Sequence, residues 1–473
     1  MELTNVILPS SEPEGRVDIT VTNGTVNSVQ LTEAPFSEPP SLLLPSLCHP
    51  HIHLDKPYIL TCNHGLKSSS CIFPQKDVHY PDYSDLAPTS GDFQEALRNT
   101  SLAKERYTPD DLYIRGGQLL ATAYRQGVTH TRAFVEVDHV VGLQALEAGV
   151  KLKNDFAHLL EVQLCVFAQD PIFSGDHGTE NRDLVLEALQ SYGESIDVLG
   201  TTPYVEKSRD TAVENIKWAI ETALARNLHL DFHIDYDLDR DRSPDELLTR
   251  IVVDELIRKD WPAVAGAGKT IVLGHATRLT VLDQKALQSL ADDILVHKLP
   301  VHFVGLPTSD IFMMGRASNA DGSLERPRGT LPVPTLIKQG LNACLGVNNV
   351  GNAFTPYGTG DPLSLASWGV GLYQAGTVDD ADLLYSCVSW RARRAIGLEQ
   401  GDETQPFKEG ARWQPVLLVR NKSLIDIPAA SSDADSFGSL EAGQALKIPA
   451  RQRLSIKDVV WDPPELELRR SVR

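Results

Sequence analysis

No cysteine in this chain belongs to a CxxC pair. The six present (Cys48, Cys62, Cys71, Cys165, Cys344 and Cys387) are scattered along it. Cys165 and Cys344 lie inside apolar runs, where a buried free thiol is the ordinary reading, so a disulfide framework is not expected. There is no apolar run of the ~18 residues that a membrane helix needs. The first residues, Met1-Glu-Leu-Thr-Asn-Val6, lack the basic start and apolar stretch of a secretory signal. A soluble cytoplasmic protein is therefore expected. Positive charge is also in deficit: 44 Lys and Arg stand against 63 Asp and Glu, for a net −19. An acidic surface repels phosphate backbones and anionic membranes, so neither is expected as a partner. Internal repeats are missing too.

What is present suits a large globular protein. The chain has 473 residues with 42% hydrophobic content, enough for a (β/α)8 barrel of ~250 residues or more with additions. Near the start, Arg16-Val-Asp-Ile-Thr-Val-Thr22 alternates apolar and polar residues, Asn23-Gly24 supplies a hairpin turn, and the alternation resumes at Val26. The far end also reads as β, at Pro415-Val-Leu-Leu-Val-Arg420, Leu446-Lys-Ile-Pro449 and Asp458-Val-Val-Trp461. Residues 428–442, rich in Ala, Ser, Asp and Gly, read as a loose surface loop. In between, eight short apolar runs alternate with helix-like stretches: 42–47, 128–137, 163–168, 196–200, 228–233, 270–274, 301–305 and 342–347. Periodicity alone does not separate a closed barrel from a doubly wound sheet. The placement of chemistry at strand ends favours the barrel. The expected architecture is α/β: a (β/α)8 TIM barrel over 42–405, with a small β-sandwich domain formed by 1–41 and 406–473.

The histidines carry the functional signal. His51 and His53 stand two apart on an expected strand, so both imidazoles face one way. His233 and His275 end the fifth and sixth runs. Imidazoles from three strand ends can converge on one ion, and nitrogen donors suit Zn²⁺ or Fe²⁺. The remaining histidines lack partners at strand ends and read as structural, with His49 set apart only by its place beside the pair.

These residues resemble a known family. His51-Ile-His-Leu-Asp-Lys56 is similar to the first-strand motif of cytosine deaminase and its relatives in the metal-dependent amidohydrolase superfamily. The similarity continues in order through Gly91-Asp-Phe-Gln-Glu-Ala-Leu-Arg98, Gly127-Val-Thr-His-Thr-Arg132, Val166-Phe-Ala-Gln169, His233-Ile-Asp-Tyr-Asp237, Gly274-His275 and Gly346-Val-Asn-Asn349. The resemblance implies metal-assisted hydrolysis of a cyclic amide or amidine in a small heterocyclic substrate. It assigns His51, His53 and His233 as metal ligands, His275 as the group that orients water, and Gln169 and Asn349 to the substrate. Oligomeric state stays open, with a homo-oligomer as one outcome.

Two positions depart from the family pattern. Asn348 stands where the family has a metal-binding, proton-accepting aspartate. Tyr236 stands where it has a proton-shuttling glutamate. An amide is a poor base and carries no charge, so weaker metal binding, or none, is an expected consequence. A phenol with pKa near ~10 donates a proton more readily than it accepts one. Asp235, two residues after His233, is the expected replacement carboxylate by strand parity; Asp237 reads as a solvated loop residue and Asp361 as a helix cap. Three functions follow from this reading. The first is a deaminase-like hydrolase with a rearranged proton relay. The second is a repurposed barrel performing cyclisation, dehydration or isomerisation. The third is a catalytically silent binding protein.

Overall fold

The computed structural model describes residues 1–9, 15–33, 37–62, 68–69, 77–78, 81–316, 327–398, 407–427 and 446–473. The loop expected over 428–442, together with His64, Cys71 and His79, lies outside the described residues.

Eight parallel strands form the centre: Leu47–His53, Val128–Glu136, Glu161–Ala168, Val198–Thr201, His229–Ile234, Ile271–His275, Val301–Gly305 and Asn342–Leu345, each paired with its neighbours in chain order. The last meets the first just beyond its own end. Asn348 N donates to His51 O at 3.1 Å, and His53 N donates to Asn348 O at 2.9 Å. That contact closes the sheet at the height of the histidine pair.

Helices cover the outside of the barrel. Pro109–Gln126 shows why such segments fold locally. Thr108 accepts from Asp111 N at its start, proline occupies the first turn, and Gly127 ends it at φ 100°. That glycine is also needed for space, since a Cβ there would lie 2.6 Å from Leu417 Cδ1. One large apolar cluster fills the layer between strands and helices.

The small β domain is present as a six-stranded sheet built from both ends of the chain. In order across the sheet the strands are Arg469–Val472, Val416–Val419, Ser41–Pro45, Glu2–Ile7, Arg16–Thr22 and Thr25–Leu31. Asn23 and Gly24 form its tight turn, both at positive φ.

Two expectations change. The run 42–47 is not a barrel strand: Ser41–Pro45 pairs with Val416–Val419 in the small sheet, and the barrel begins at Leu47. One apolar run thus serves two sheets, with buried Ser46 between them. Asp458-Val-Val-Trp461 is not β but part of the helix Ile456–Trp461. Asp458 Oδ2 accepts from Leu454 N and Ser455 Oγ at the start of that helix, and Val459 and Val460 are fully buried. Packing, with the Asp458 bonds that fix the entering turn, overrides the β preference of the two valines. Among the described residues no helix is long and apolar enough to cross a membrane.

Candidate metal centre and cavity

His51 and His53 project from the end of the first barrel strand, past an irregularity in its pairing between His49 and Ile52. His51 packs on Phe134 with ring centres 4.1 Å apart, and Phe167 lies 4.4 Å from His233. Small residues make room for His51, since a Cβ at Gly274 would lie 3.0 Å from its Cε1. The Nε2 atoms then meet: His233 lies 3.1 Å from His51 and 3.2 Å from His53. Burial pushes all three imidazoles below the usual histidine range, with Lys56 adding to the effect on His53 and His51 to that on His233. Neutral rings with three nitrogens facing one another cannot satisfy each other by hydrogen bonding. Zinc–nitrogen bonds of ~2.0–2.1 Å place tetrahedral donors ~3.3 Å apart, so the observed spacing suits a divalent ion.

Behind His51, the Asp231 carboxylate stands 3.6 Å from Nδ1 and is held by Arg132 at 3.0 Å. A carboxylate behind a ligating histidine is a familiar means of orienting the ring. Asn348, at φ 68°, adds a neutral donor. Its Nδ2 donates to Ser309 Oγ at 2.9 Å, which leaves Oδ1 buried without a partner. The three imidazoles fit a divalent ion, and Asn348, with its oxygen unpartnered, lines the same place.

His275 ends the sixth strand at φ 64°. Its Nδ1 donates to Asp310 Oδ1 at 2.7 Å, which leaves Nε2 as the acceptor. Asp310 is fully buried, and it also accepts from Thr330 Oγ1 and Leu306 N. Burial raises its pKa and the bond to His275 opposes that. The Tyr236 ring lies 4.0 Å from that of His275, and burial holds its phenol well above the usual range.

These groups line a small cavity of about 20 Å³, room for about one water. Gln169, Asn349, Ser309 and Lys56 supply its other polar wall, and Phe93, Tyr204 and Phe354 its aromatic one. Lys56 is ion-paired behind the wall to Glu136, which also accepts from Lys104 at 3.0 Å.

The structure thus brings His51, His53, His233, His275, Tyr236, Asn348, Gln169 and Asn349 to one place. It does not bring Asp235. That residue adopts φ 45°, which breaks the strand parity, and its carboxylate accepts from Leu248 N and Thr249 N at the start of the helix Leu248–Arg258. Its role is to cap that helix. Asp361 caps Pro362–Leu372 as expected and pairs with Arg469. Sequence reasoning missed Asp310 and gave Lys56 no role. The break at Leu306-Pro307 was the one available sign of a strand-end loop for Asp310, and Lys56 already stood in the first-strand motif. A further cluster, Asp138, His139 and Asp170, could also hold an ion by proximity. However, Lys104 lies 2.6 Å from Asp138 and 3.3 Å from Asp170, and supplies the positive charge itself.

No family model matches the chain, and no curated protein matches it. Solved structures do. 5-Methylcytosine deaminase from Klebsiella pneumoniae, liganded with 5-fluorocytosine, is 21% identical, with a TM-score of 0.69 over 89% of this chain and 91% of that one. N-isopropylammelide isopropylaminohydrolase from Burkholderia multivorans is 19% identical, with a TM-score of 0.62 over 89% and 95%. Guanine deaminase from C. acetobutylicum, with bound guanine, is 12% identical, with a TM-score of 0.51 over 88% and 89%. At these identities the likeness is one of fold: the chain shares the overall fold of these three structures.

Proposed function

We propose that the protein is a metal-dependent hydrolase of a cyclic C–N bond in a small heterocyclic molecule. The observation that carries this is that the Nε2 atoms of His51 and His53 both lie within 3.2 Å of His233 Nε2, beside the His275–Asp310 pair. A divalent ion, zinc or iron, supplies Lewis acidity toward water and the substrate when bound. The chain's own residues divide the remaining work. Asp310 fixes the His275 tautomer, so Nε2 accepts the proton that Asn348, an amide, has no capacity to take. Tyr236 stays protonated and donates a hydrogen bond toward the leaving nitrogen, and His275 Nε2 passes the proton it accepted to that nitrogen. Gln169 offers one donor and one acceptor to a lactam edge, and Asn349 holds the facing side of the cavity. This moves the negative charge of the proton relay from the strand-eight position to Asp310, one imidazole away.

One observation favours a second reading. Among the described residues, no carboxylate lines the cavity, so His275 and Tyr236 are an acid–base pair equally able to serve a dehydration or isomerisation. Turnover of a heterocycle panel by zinc- or iron-loaded protein in H₂¹⁸O separates the two. Ammonia or amine release with ¹⁸O in the product supports hydrolysis. Turnover without ¹⁸O incorporation supports the second reading.

A further inference from the structure

We propose a second ligand site at the opposite end of the barrel from the histidine cluster: a cationic pocket that takes a small organic phosphate. It stands independently of the metal reading.

The pocket lies where the sixth and seventh strands begin, at the far end of the sixth strand from His275. It measures about 430 Å³, within the ordinary range of small-molecule sites. Three segments bring cations to it. Lys269 comes from the turn before Ile271–His275, Lys298 from the turn before Val301–Gly305, and Arg394 from the helix Trp390–Ala395. No carboxylate lines it among the described residues, although the chain carries 63 acids against 44 bases. A cleft lined by one sign of charge concentrates ions of the other.

The acids around it do not neutralise these cations. Asp197 acts on Lys269 but is held by Lys153 and by Leu164 N. Asp231 pairs with Arg132. Asp260, next to Trp261 in the wall, is exposed and is not part of the lining. Among the described residues, neither Lys269 nor Lys298 forms an ion pair. His302 adds a buried donor to the same wall. Asn342 Nδ2 donates to its Nδ1 at 3.0 Å, so the proton of the neutral ring sits on Nε2, which makes no hydrogen bond with the described protein. The surplus of positive charge is felt within the group. Burial lowers the pKa of Lys269, with Arg132 adding to the effect and Asp197 opposing it. Burial, Arg132 and Arg394 together lower His302 to about 3. An anion in the pocket would offset that surplus.

The donors set the ligand class. Cations arriving from three separate segments suit an anion with several acceptor oxygens and more than one charge, and a phosphate ester carries roughly −1.5 to −2 at pH 7. Pro262 and Pro300 give the pocket an apolar side, and its volume leaves room beside a phosphate for the organic group that bears it. The net charge of −19 does not oppose this, because distant surface charge is screened within ~8 Å at physiological salt.

The test is calorimetry on the whole zinc-loaded protein at about 0.15 M salt, with ribose 5-phosphate, ribose and sulfate as probes. Ribose 5-phosphate is expected to bind with a Kd below about 1 mM and at least about tenfold more tightly than sulfate, and ribose is expected not to bind. Lys269→Gln/Lys298→Gln should weaken that binding at least about tenfold, with zinc content and ligand-free unfolding temperature unchanged. The exposed Lys298→Gln alone should weaken it severalfold. His233→Ala, which removes a metal ligand, should bind ribose 5-phosphate as wild type does. Absence of binding to wild type overturns the proposal, as does an affinity unchanged in the double variant. Equal binding of sulfate and ribose 5-phosphate overturns the organic class. Loss of binding in His233→Ala overturns it too, by moving the phosphate to the metal centre. Residues 399–406 follow Gly397 and Leu398 in sequence and lie outside the described residues. If ribose 5-phosphate binds only to Glu399→Gln/Asp402→Asn/Glu403→Gln, the chain's own acids fill the pocket and the proposal fails.

Discussion

The barrel buries histidines at both ends, and the two sets are built differently. At the opening end, His51, His53 and His233 point their Nε2 atoms at one another and find no protein hydrogen-bond partner for Nδ1. At the closed end, each ring has its own neighbour. His130 Nδ1 lies 2.8 Å from Thr129 Oγ1, His229 Nδ1 accepts from Thr270 N at 3.0 Å, and His302 Nδ1 lies 3.0 Å from Asn342 Nδ2. Burial lowers the pKa at both ends; for the closed end it reaches about 3 at His130 and His302 and about 2 at His229. Burial and pKa therefore do not separate a ligand from a structural histidine. What separates them is convergence: three Nε2 atoms meet at the opening end, whereas the lack of a partner alone does not mark a ligand, since both ring nitrogens of buried His49 lack one as well.

The largest expected break in this comparison comes from His233→Ala. It should abolish tight metal binding, seen as loss of metal on elemental analysis, whereas His229→Leu should leave metal content intact and cost about 1–3 kcal/mol in denaturant stability.

Next in size is Asp310→Asn. It should lower kcat by ~10²–10⁴-fold with metal content unchanged, if His275 depends on that carboxylate for its tautomer. A change confined to KM would contradict the assigned role.

Acid should then act on the closed end. Its histidines stay neutral when folded but take up a proton near pH ~6.5 when unfolded. The unfolded state binds more protons below that pH, so stability should fall from about pH 6.5 down toward about 3. Thermal unfolding across that range, with chelator present, measures the slope, and His229→Leu should flatten it.

The smallest effect is at Asp235. Asp235→Ala should cost about 0.5–2 kcal/mol through the lost helix cap, with metal content and kcat nearly unchanged. A large fall in kcat would restore Asp235 to the proton relay.

The same contrast explains what the sequence made legible. His51, His53, His233 and His275 were readable because strand ends have a fixed place in a barrel and because alternation fixes which side chains share a face. Asp235 was misread because a positive φ at the strand's end rotates its side chain toward a helix, and parity fails where the strand does. Asp310 sits past the seventh strand in a segment whose position relative to His275 is set by tertiary packing, which no periodicity reports. The boundary near Leu42 failed because Ser41–Pro45 and Leu47–His53 form a nearly continuous apolar run that divides between two sheets. The far-end valines failed because burial of both in the helix packing outweighed their β preference.

The account depends on three imidazoles holding one divalent ion at the barrel's open end. Metal analysis of wild type and His233→Ala after zinc loading and extensive dialysis tests that most directly. The account predicts a single equivalent of zinc per wild-type chain and almost none in the variant. Zinc absent from both proteins, or kept equally by both, would contradict it.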